Sequence, residues 1–277
     1  MSRTKAYCSP ADILTQMMKD CQLIDLTVTL GEEYPTSPIW GVPFMKTPFN
    51  WFTSPQTDMR GEYMDFVLHF EEHSGTHFDS PAHAIPRPDT GLPRAAEIGR
   101  MTVEKVPLEQ FMGPAVVIDC RDLIGTAGPG RSAMITVAKI QTWEQEHGEI
   151  QPGEVVMLYT GWTDRFYKKF PEGYGLDRDC KLYKKSEGWP APEPAVMKYL
   201  LKKGVRHVVI DAVSMGPIQA DEATHWAGLE EGMIFTEKVC NLGLLPPRGA
   251  YFIFLPIKVE GGSAAPGRAI AISPKAC

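Results

Sequence analysis

"EHSGTHFDSPAH" occupies residues 72–83, and its reading decides how the rest of the chain is read. Three of the seven histidines, His73, His77 and His83, fall within it together with Asp79. On a helix the i, i+4 pair His73 and His77 would share a face, as in the zinc-protease arrangement. Ser74, however, stands where that motif needs its glutamate, and Gly75 opposes a helical interior. A strand running into a tight turn fits better. Glycine permits backbone angles that let three side chains converge, and Pro81 restricts the exit. Two imidazoles with a carboxylate suit zinc, manganese, iron or nickel better than magnesium or calcium. His83 is either a further ligand or a proton carrier beside the metal. A hydrogen-bonded polar turn without metal is the alternative, and the density of ligand types argues against it. His69, on the strand before the motif, is expected to be a core histidine or to support the ligands from behind.

Away from this stretch the composition is that of a globular protein. Hydrophobic residues make up 43% of the 277, enough for a substantial core. A formal net charge of −6, with no long run of like charges, argues against a nucleic-acid surface. No 18-residue apolar run suggests a membrane span, and "MSRTKAYCSPADILTQMMKDCQ" lacks the apolar stretch of an export signal. The six cysteines are dispersed with no C-x-x-C pair. Reduced thiols and a cytoplasmic location are the expectation.

Along the chain, Ser9 and Pro10 open a predicted helix, and "CQLIDLTVTL" follows as a strand. "YMDFVLHFEEH" predicts the strand entering the motif, and "PAVVIDC", "GEVVMLYTGW" and "VRHVVIDAVS" predict buried strands. A helix is expected from Thr136 to a stop at Gly148, and another over "PEPAVMKYLLKKG" ended by Gly204. "GAYFIFLPIKVEGGSAAPGRAIAIS" predicts two closing strands around a glycine-rich turn. The order implies a mixed α/β body with antiparallel strands added at the ends. One domain over 1–277 is expected, since no composition break marks a boundary. Asp211 ends an apolar strand, a position equally suited to a functional side chain and to a turn cap.

Residues 31–60 are rich in Pro, Ser and Thr yet hold Trp40, Phe44, Phe49 and Trp51. They read either as hydrophobic cover or as a pocket or lid for a flat, apolar substrate. Farther on, "ATHWAGLEEGMIFTEKVCNL" offers His225, Glu230, Glu231 and Glu237 as candidates for a second metal, with Trp226 as a candidate pocket wall. No G-x-S-x-G elbow supports a serine hydrolase.

"HSGTHFDSPAH" resembles the H-x-G-T-H-x-D-x-P-x-H motif of the cyclase-like metal-dependent hydrolases, a group that includes bacterial kynurenine formamidases and isatin hydrolases. "VVIDAVS", "THWAGLEEGMIFTEKVCNL" and "LPIKVEGGSAAPGRAIAI" are similar to further segments of that family, extending the resemblance over most of residues 24–273. The resemblance implies a swivelling β/β/α fold and a homodimer or homotetramer. It implies His73, His77 and Asp79 as ligands of a first metal, and Asp79, His225 and Glu237 as the set for a second. His83 matches the acid/base. Glu237 is a departure from isatin-hydrolase-like members, where the matching position is not acidic. Gly216 is a departure from formamidase-like members, which carry aspartate there.

Residues and resemblance converge on hydrolysis of an amide C–N bond through a metal-bound hydroxide, with Mn²⁺ or Zn²⁺, one or two per chain. An aryl cyclic amide or an aryl formamide is the expected small-molecule substrate. A lactone or cyclic imide hydrolase, or a non-catalytic metal-dependent binding protein, are the other readings.

Overall fold

The computed structural model describes residues 9–36, 42–52 and 63–275. Trp40 and part of the aromatic-rich segment lie outside them. Helix α1 (Pro10–Asp20) starts as its capping signals dictate: the Ser9 hydroxyl accepts from the Asp12 amide, and the Asp12 carboxylate accepts from the Ser9 amide. Strand β1 (Cys21–Asp25) follows directly. Strands β2 (Met45–Asn50) and β3 (Asp65–His69) pair as a separate antiparallel ribbon. His69 is exposed on that ribbon. The expectation of a core histidine is therefore corrected: β3 ends before the motif and does not share the motif's buried environment.

The motif itself supplies β4 (His77–Asp79), three residues, all buried. Then come β5 (Met112–Asp119), β6 (Ser132–Ile135), α2 (Val137–His147) and β7 (Val155–Tyr159). Thr136 caps α2 and Gly148, at φ +86°, stops it, as the sequence predicts. The chain continues through α3 (Trp162–Phe166), β8 (Gly188–Pro192), α4 (Pro194–Lys202) and β9 (His207–Ile210). Helix α5 (Asp221–Leu229), β10 (Ile234–Glu237), β11 (Arg248–Pro256) and β12 (Ala264–Pro274) complete it.

Strands β5, β7, β9 and β10 run parallel in that order, and β11, β12 and β4 add antiparallel neighbours. Strand β4 hydrogen-bonds β10 on one edge and β12 on the other, so the sheet closes on itself. Strand β1 pairs farther along β12, beside β4's place on the same edge. The fold is mixed α/β, a closed mixed barrel with helices against its outside.

Successive residues of the parallel strands enter two different cores. Val117, Val155, Met157 and Val209 pack inside the barrel with Phe78, Phe252 and Phe254. Their neighbours Val116, Val156, Leu158 and Val208 face outward against Trp143, Trp189, Met197 and Leu200. Burial on both faces explains why these strands read as unbroken apolar runs. Each such side chain contributes about 1.5–3 kcal/mol on leaving water. Among the described residues Cys21, Cys120, Cys180 and Cys240 are free thiols, and no helix is long and apolar enough to cross a membrane.

Candidate metal centre

Strand alternation places the ligands. Phe78 belongs to the barrel interior, so His77 and Asp79 on either side of it point to the opposite, helix-facing side. The register of β4 against β10 sets Glu237 directly across from His77. Helix α5 lies over β10, so close that a Cβ at Gly228 would touch the Phe235 ring at 2.5 Å. It presents His225 to the same spot.

The six charged or imidazole groups named from the sequence converge around the Asp79 carboxylate. His73 Nε2 is 3.4 Å and His77 Nε2 3.6 Å from Asp79 Oδ1. His225 Nε2 lies 3.7 Å from Oδ2 of the same carboxylate. Glu237 closes the far side, its Oε2 3.5 Å from His77 Nε2 and its Oε1 3.4 Å from His225 Nε2. His83 Nδ1 meets His73 Nε2 at 2.9 Å, and His83 is the member that reaches solvent. The donor atoms of His77, Asp79 and Glu237, and those of His73, Asp79 and His83, form two groups compact enough to hold an ion, sharing Asp79.

Two buried atoms in the centre, His77 Nε2 and Asp79 Oδ1, have no hydrogen-bond partner in the protein. Orphaned polar atoms in a buried site cost stability unless something else satisfies them. A nitrogen lone pair and a carboxylate oxygen aimed at one point are what a divalent cation satisfies. The residues present therefore fit a metal.

The second contacts of the imidazoles orient them. His73 Nδ1 meets Glu71 Oε1 at 2.6 Å, His77 Nδ1 faces the Gly75 carbonyl at 2.8 Å, and His225 Nδ1 the Asp221 carbonyl at 2.9 Å. Each leaves Nε2 for the centre, the arrangement typical of metal-binding histidines. Gly75 makes the turn possible. Its φ is +63°, and a Cβ there would run into the Leu30 side chain. The Thr76 hydroxyl, donating to the Lys238 carbonyl at 2.6 Å, ties the turn to the end of β10.

Burial and charge pull the ionisable groups apart. Burial opposes charge on His225, but the Asp79 and Glu237 carboxylates beside it carry its pKa well above the ordinary histidine value. Burial likewise works against His73, and Glu71 with Asp79 outweighs it, raising the net value. Complete burial, reinforced by the Lys238 ammonium, keeps His77 neutral. Asp79, though buried, is surrounded by imidazoles that hold it far below the usual carboxylate range. Glu237 is pushed up by burial and by Asp79. Desolvation by the cleft lowers His83, opposed by Asp79.

The aromatic candidates are placed differently. Trp226, next to His225, is partly buried with the Arg94 guanidinium 4.1 Å over its ring. Phe44 is buried and stacks on Phe70 with centroids 6.0 Å apart. Phe49 and Trp51 stand half-exposed on the β2–β3 ribbon. Glu230 pairs with Arg94 at 3.3 Å, and Glu231 is exposed. Asp211 is a turn anchor: its carboxylate accepts from the Thr160 amide and hydroxyl and from the Gly161 amide. A Cβ at Gly216 would collide with Asp221, so the pocket has no room for a larger residue there. Two residues of the site escaped the sequence reading, Glu71 and Lys238. Glu71 stands two residues before His73 in a turn closed by the Ser74 amide donating to the Glu71 carbonyl at 3.0 Å. Nothing local marks Lys238.

The family model described as putative cyclase matches residues 24–217. The chain belongs to this family. An isatin hydrolase of Roseibium aggregatum is 30% identical over 267 residues, covering 93% of this chain and 94% of the relative. A kynurenine formamidase of Salinibacter ruber is 27% identical over 208 residues, 73% of this chain and 77% of its own. The structure of isatin hydrolase A from Labrenzia aggregata shares the fold, with a TM-score of 0.77 at 24% identity over 96% of this chain and 100% of that one. The cyclase-family chain described here is a hydrolase, and the mixed α/β architecture expected from its sequence is the one observed.

Proposed function

We propose that this protein hydrolyses the amide C–N bond of an aryl cyclic amide of the isatin type or, less favoured, an aryl formamide, using a divalent metal. The observation that carries the proposal is the pair of buried, unpartnered atoms, His77 Nε2 and Asp79 Oδ1, at the meeting point of four further ligand side chains. His73, His77 and Asp79 Oδ1 would hold the principal ion, and Asp79 Oδ2, His225 and Glu237 a second, weaker position. Bound there, Mn²⁺ or Zn²⁺ supplies Lewis acidity to the substrate carbonyl and a lowered pKa for water. The imidazole- and carboxylate-rich set suits both metals.

The chain's own groups do the rest. His83, at the open side, takes a proton from the attacking water and returns it to the departing nitrogen. Glu71 holds His73 in the tautomer that presents Nε2. Trp226, stiffened by Arg94, gives the aryl ring an apolar wall beside His225. The longer identity to the isatin hydrolase, 267 residues against 208, favours the cyclic amide. The β2–β3 ribbon supports a homodimer as the working form. Val67 and Leu68 on the ribbon, with Trp51 and Phe52 just past β2, are each about half exposed, so it presents apolar side chains on both faces for a second copy to cover. A cytoplasmic location accords with the free thiols.

The test is hydrolysis of isatin and N-formylkynurenine, with simple lactones and cyclic imides as controls, by protein stripped with chelator and reloaded with Mn²⁺ or Zn²⁺. Ring opening of isatin that disappears on stripping and returns on reloading is expected. Undiminished turnover in the stripped protein, or turnover of lactones alone, would overturn the proposal.

A further inference from the structure

Helices α2 and α4 pack on the outer side of the parallel strands, whereas the outer side of β1, β12 and β11 stands bare among the described residues. Antiparallel register sets Ile24, Ala271 and Phe252 side by side, and all three are buried inside the barrel. Alternation turns the flanking rows outward: Leu23 beside Ile272 and Tyr251, then Ile270 beside Ile253, with Leu255 farther along β11. These rows are apolar yet uncovered. Leu23 is 60% exposed, Leu255 52% and Tyr251 39%. Single exposed residues of this kind are ordinary on a protein surface, but contiguous rows of them mark an interaction surface.

Helix α1 is bare in the same way. Ile13, Leu14, Met17 and Met18 share one side of it, and Asp12, Gln16 and Lys19 the other. No residue of the helix is buried, and Ile13 and Leu14 are 55% and 51% exposed. A helix of 11 residues is marginal in water by itself, so this one needs its apolar side covered. The sheet of its own chain cannot do so. Strand β1 begins at the residue after α1 ends, and the Lys275 amide, donating to the Asp20 carbonyl at 3.0 Å, pins that junction. Turning a helix back over the strand it feeds takes a loop of several residues.

We propose that a second copy of this chain covers the outer face of β1, β12 and β11, and that each copy lays its α1 across the other's sheet. Such an exchange about a two-fold axis is isologous and closes at two copies. The half-exposed side chains of one helix and one sheet face amount to roughly the 800 Å² per partner of a standard interface. Asp25 and Arg268, the charged groups on this face, already satisfy one another through two hydrogen bonds, so no unpaired charge opposes its burial. The contact is separate from the β2–β3 ribbon, which forms its own sheet, and it does not depend on the metal or the substrate.

The test is light-scattering mass together with hydrogen exchange of the α1 amides in the full chain. It compares wild type with Leu14→Glu on the helix, Leu255→Glu on the sheet and Val67→Glu on the ribbon. Leu255 is half exposed and pairs with Arg268 across the strands, so a glutamate there suits the fold; Tyr251→Glu, on the same face, repeats the measurement should it not fold. Wild type is expected to associate with its α1 amides protected. Leu14→Glu and Leu255→Glu should each halve the mass. Leu255→Glu should also strip α1 of its protection, although no residue of the helix has changed, and Val67→Glu should leave α1 protected. A monomeric wild type, freely exchanging α1 amides in wild type, or α1 protection retained in the sheet variants would each overturn the inference. Loss of protection in Val67→Glu alone would seat the helix on the ribbon and overturn it as well.

Discussion

The two sides of the Asp79 carboxylate are built in different ways. Oδ1 faces His73 and His77, and His83 adjoins His73, all within eleven residues of chain and shaped by a local turn. Oδ2 faces His225, with Glu237 behind it, both about 150 residues downstream and delivered by a helix and a neighbouring strand. The near side opens to solvent at His83; on the far side Glu237 and His225 are buried. The contrast teaches a division of labour. The local turn is suited to exchanging protons and substrate, and the enclosed side to fixing charge.

Asp79→Ala attacks both sides at once and should have the largest effect. Metal should be lost in elemental analysis and turnover should fall to background, while the barrel stays folded by circular dichroism. Metal retained at full occupancy would show that the two sides do not depend on their shared carboxylate. Next is His83→Ala, which touches only the open side. A loss on the order of 10²–10⁴ in kcat with metal content unchanged is expected; loss of metal would make His83 a ligand instead. Glu71→Gln removes the partner of His73 and should weaken metal binding by about 10–100-fold in a chelator competition. Glu237→Gln touches only the enclosed side and should abolish the weak second Mn²⁺ step in calorimetry while sparing the first.

The smallest effect is on pH dependence. In the metal-free protein His73 and His225 are raised above ordinary histidine values, so they carry protons that a metal must displace. Affinity should therefore fall as pH is lowered through neutrality. Titrations in buffers of different ionisation enthalpy should reveal proton release. Binding independent of both pH and buffer would contradict the protonated state of these two imidazoles.

The same contrast governs what could be read from the sequence. The near side is spelled out in "HSGTHFDSPAH", because a turn brings neighbours in sequence together in space. Strands β5, β7 and β9 and helices α2 and α4 were equally legible, since burial on both faces leaves continuous apolar runs and glycine stops are local signals, whereas the parallel strand β10 was not read from the sequence. His225 and Glu237 stood among four candidates in their segment, with Glu230 and Glu231, and only the family resemblance singled them out. Their convergence depends on the β4–β10 register and on how closely α5 packs at Gly228, neither of which a local pattern encodes. His69 was misjudged because strand alternation was carried across a turn that ends β3 at that residue. Lys238 was missed because a lysine in a polar stretch looks like surface, and burial among carboxylates is a property of the fold.

Strand β4 has only three residues, yet it holds both β10 and β12 and carries His77 and Asp79. Its partners on β12, residues 264–266, lie almost 190 positions later in the chain. Contacts of such long range are slow to form, because much loop entropy must be lost first. The ligands His77 and Asp79 are held in place by that seam. Acquisition of metal during refolding should therefore be a late kinetic event, and it gives a direct clock for closure of the barrel.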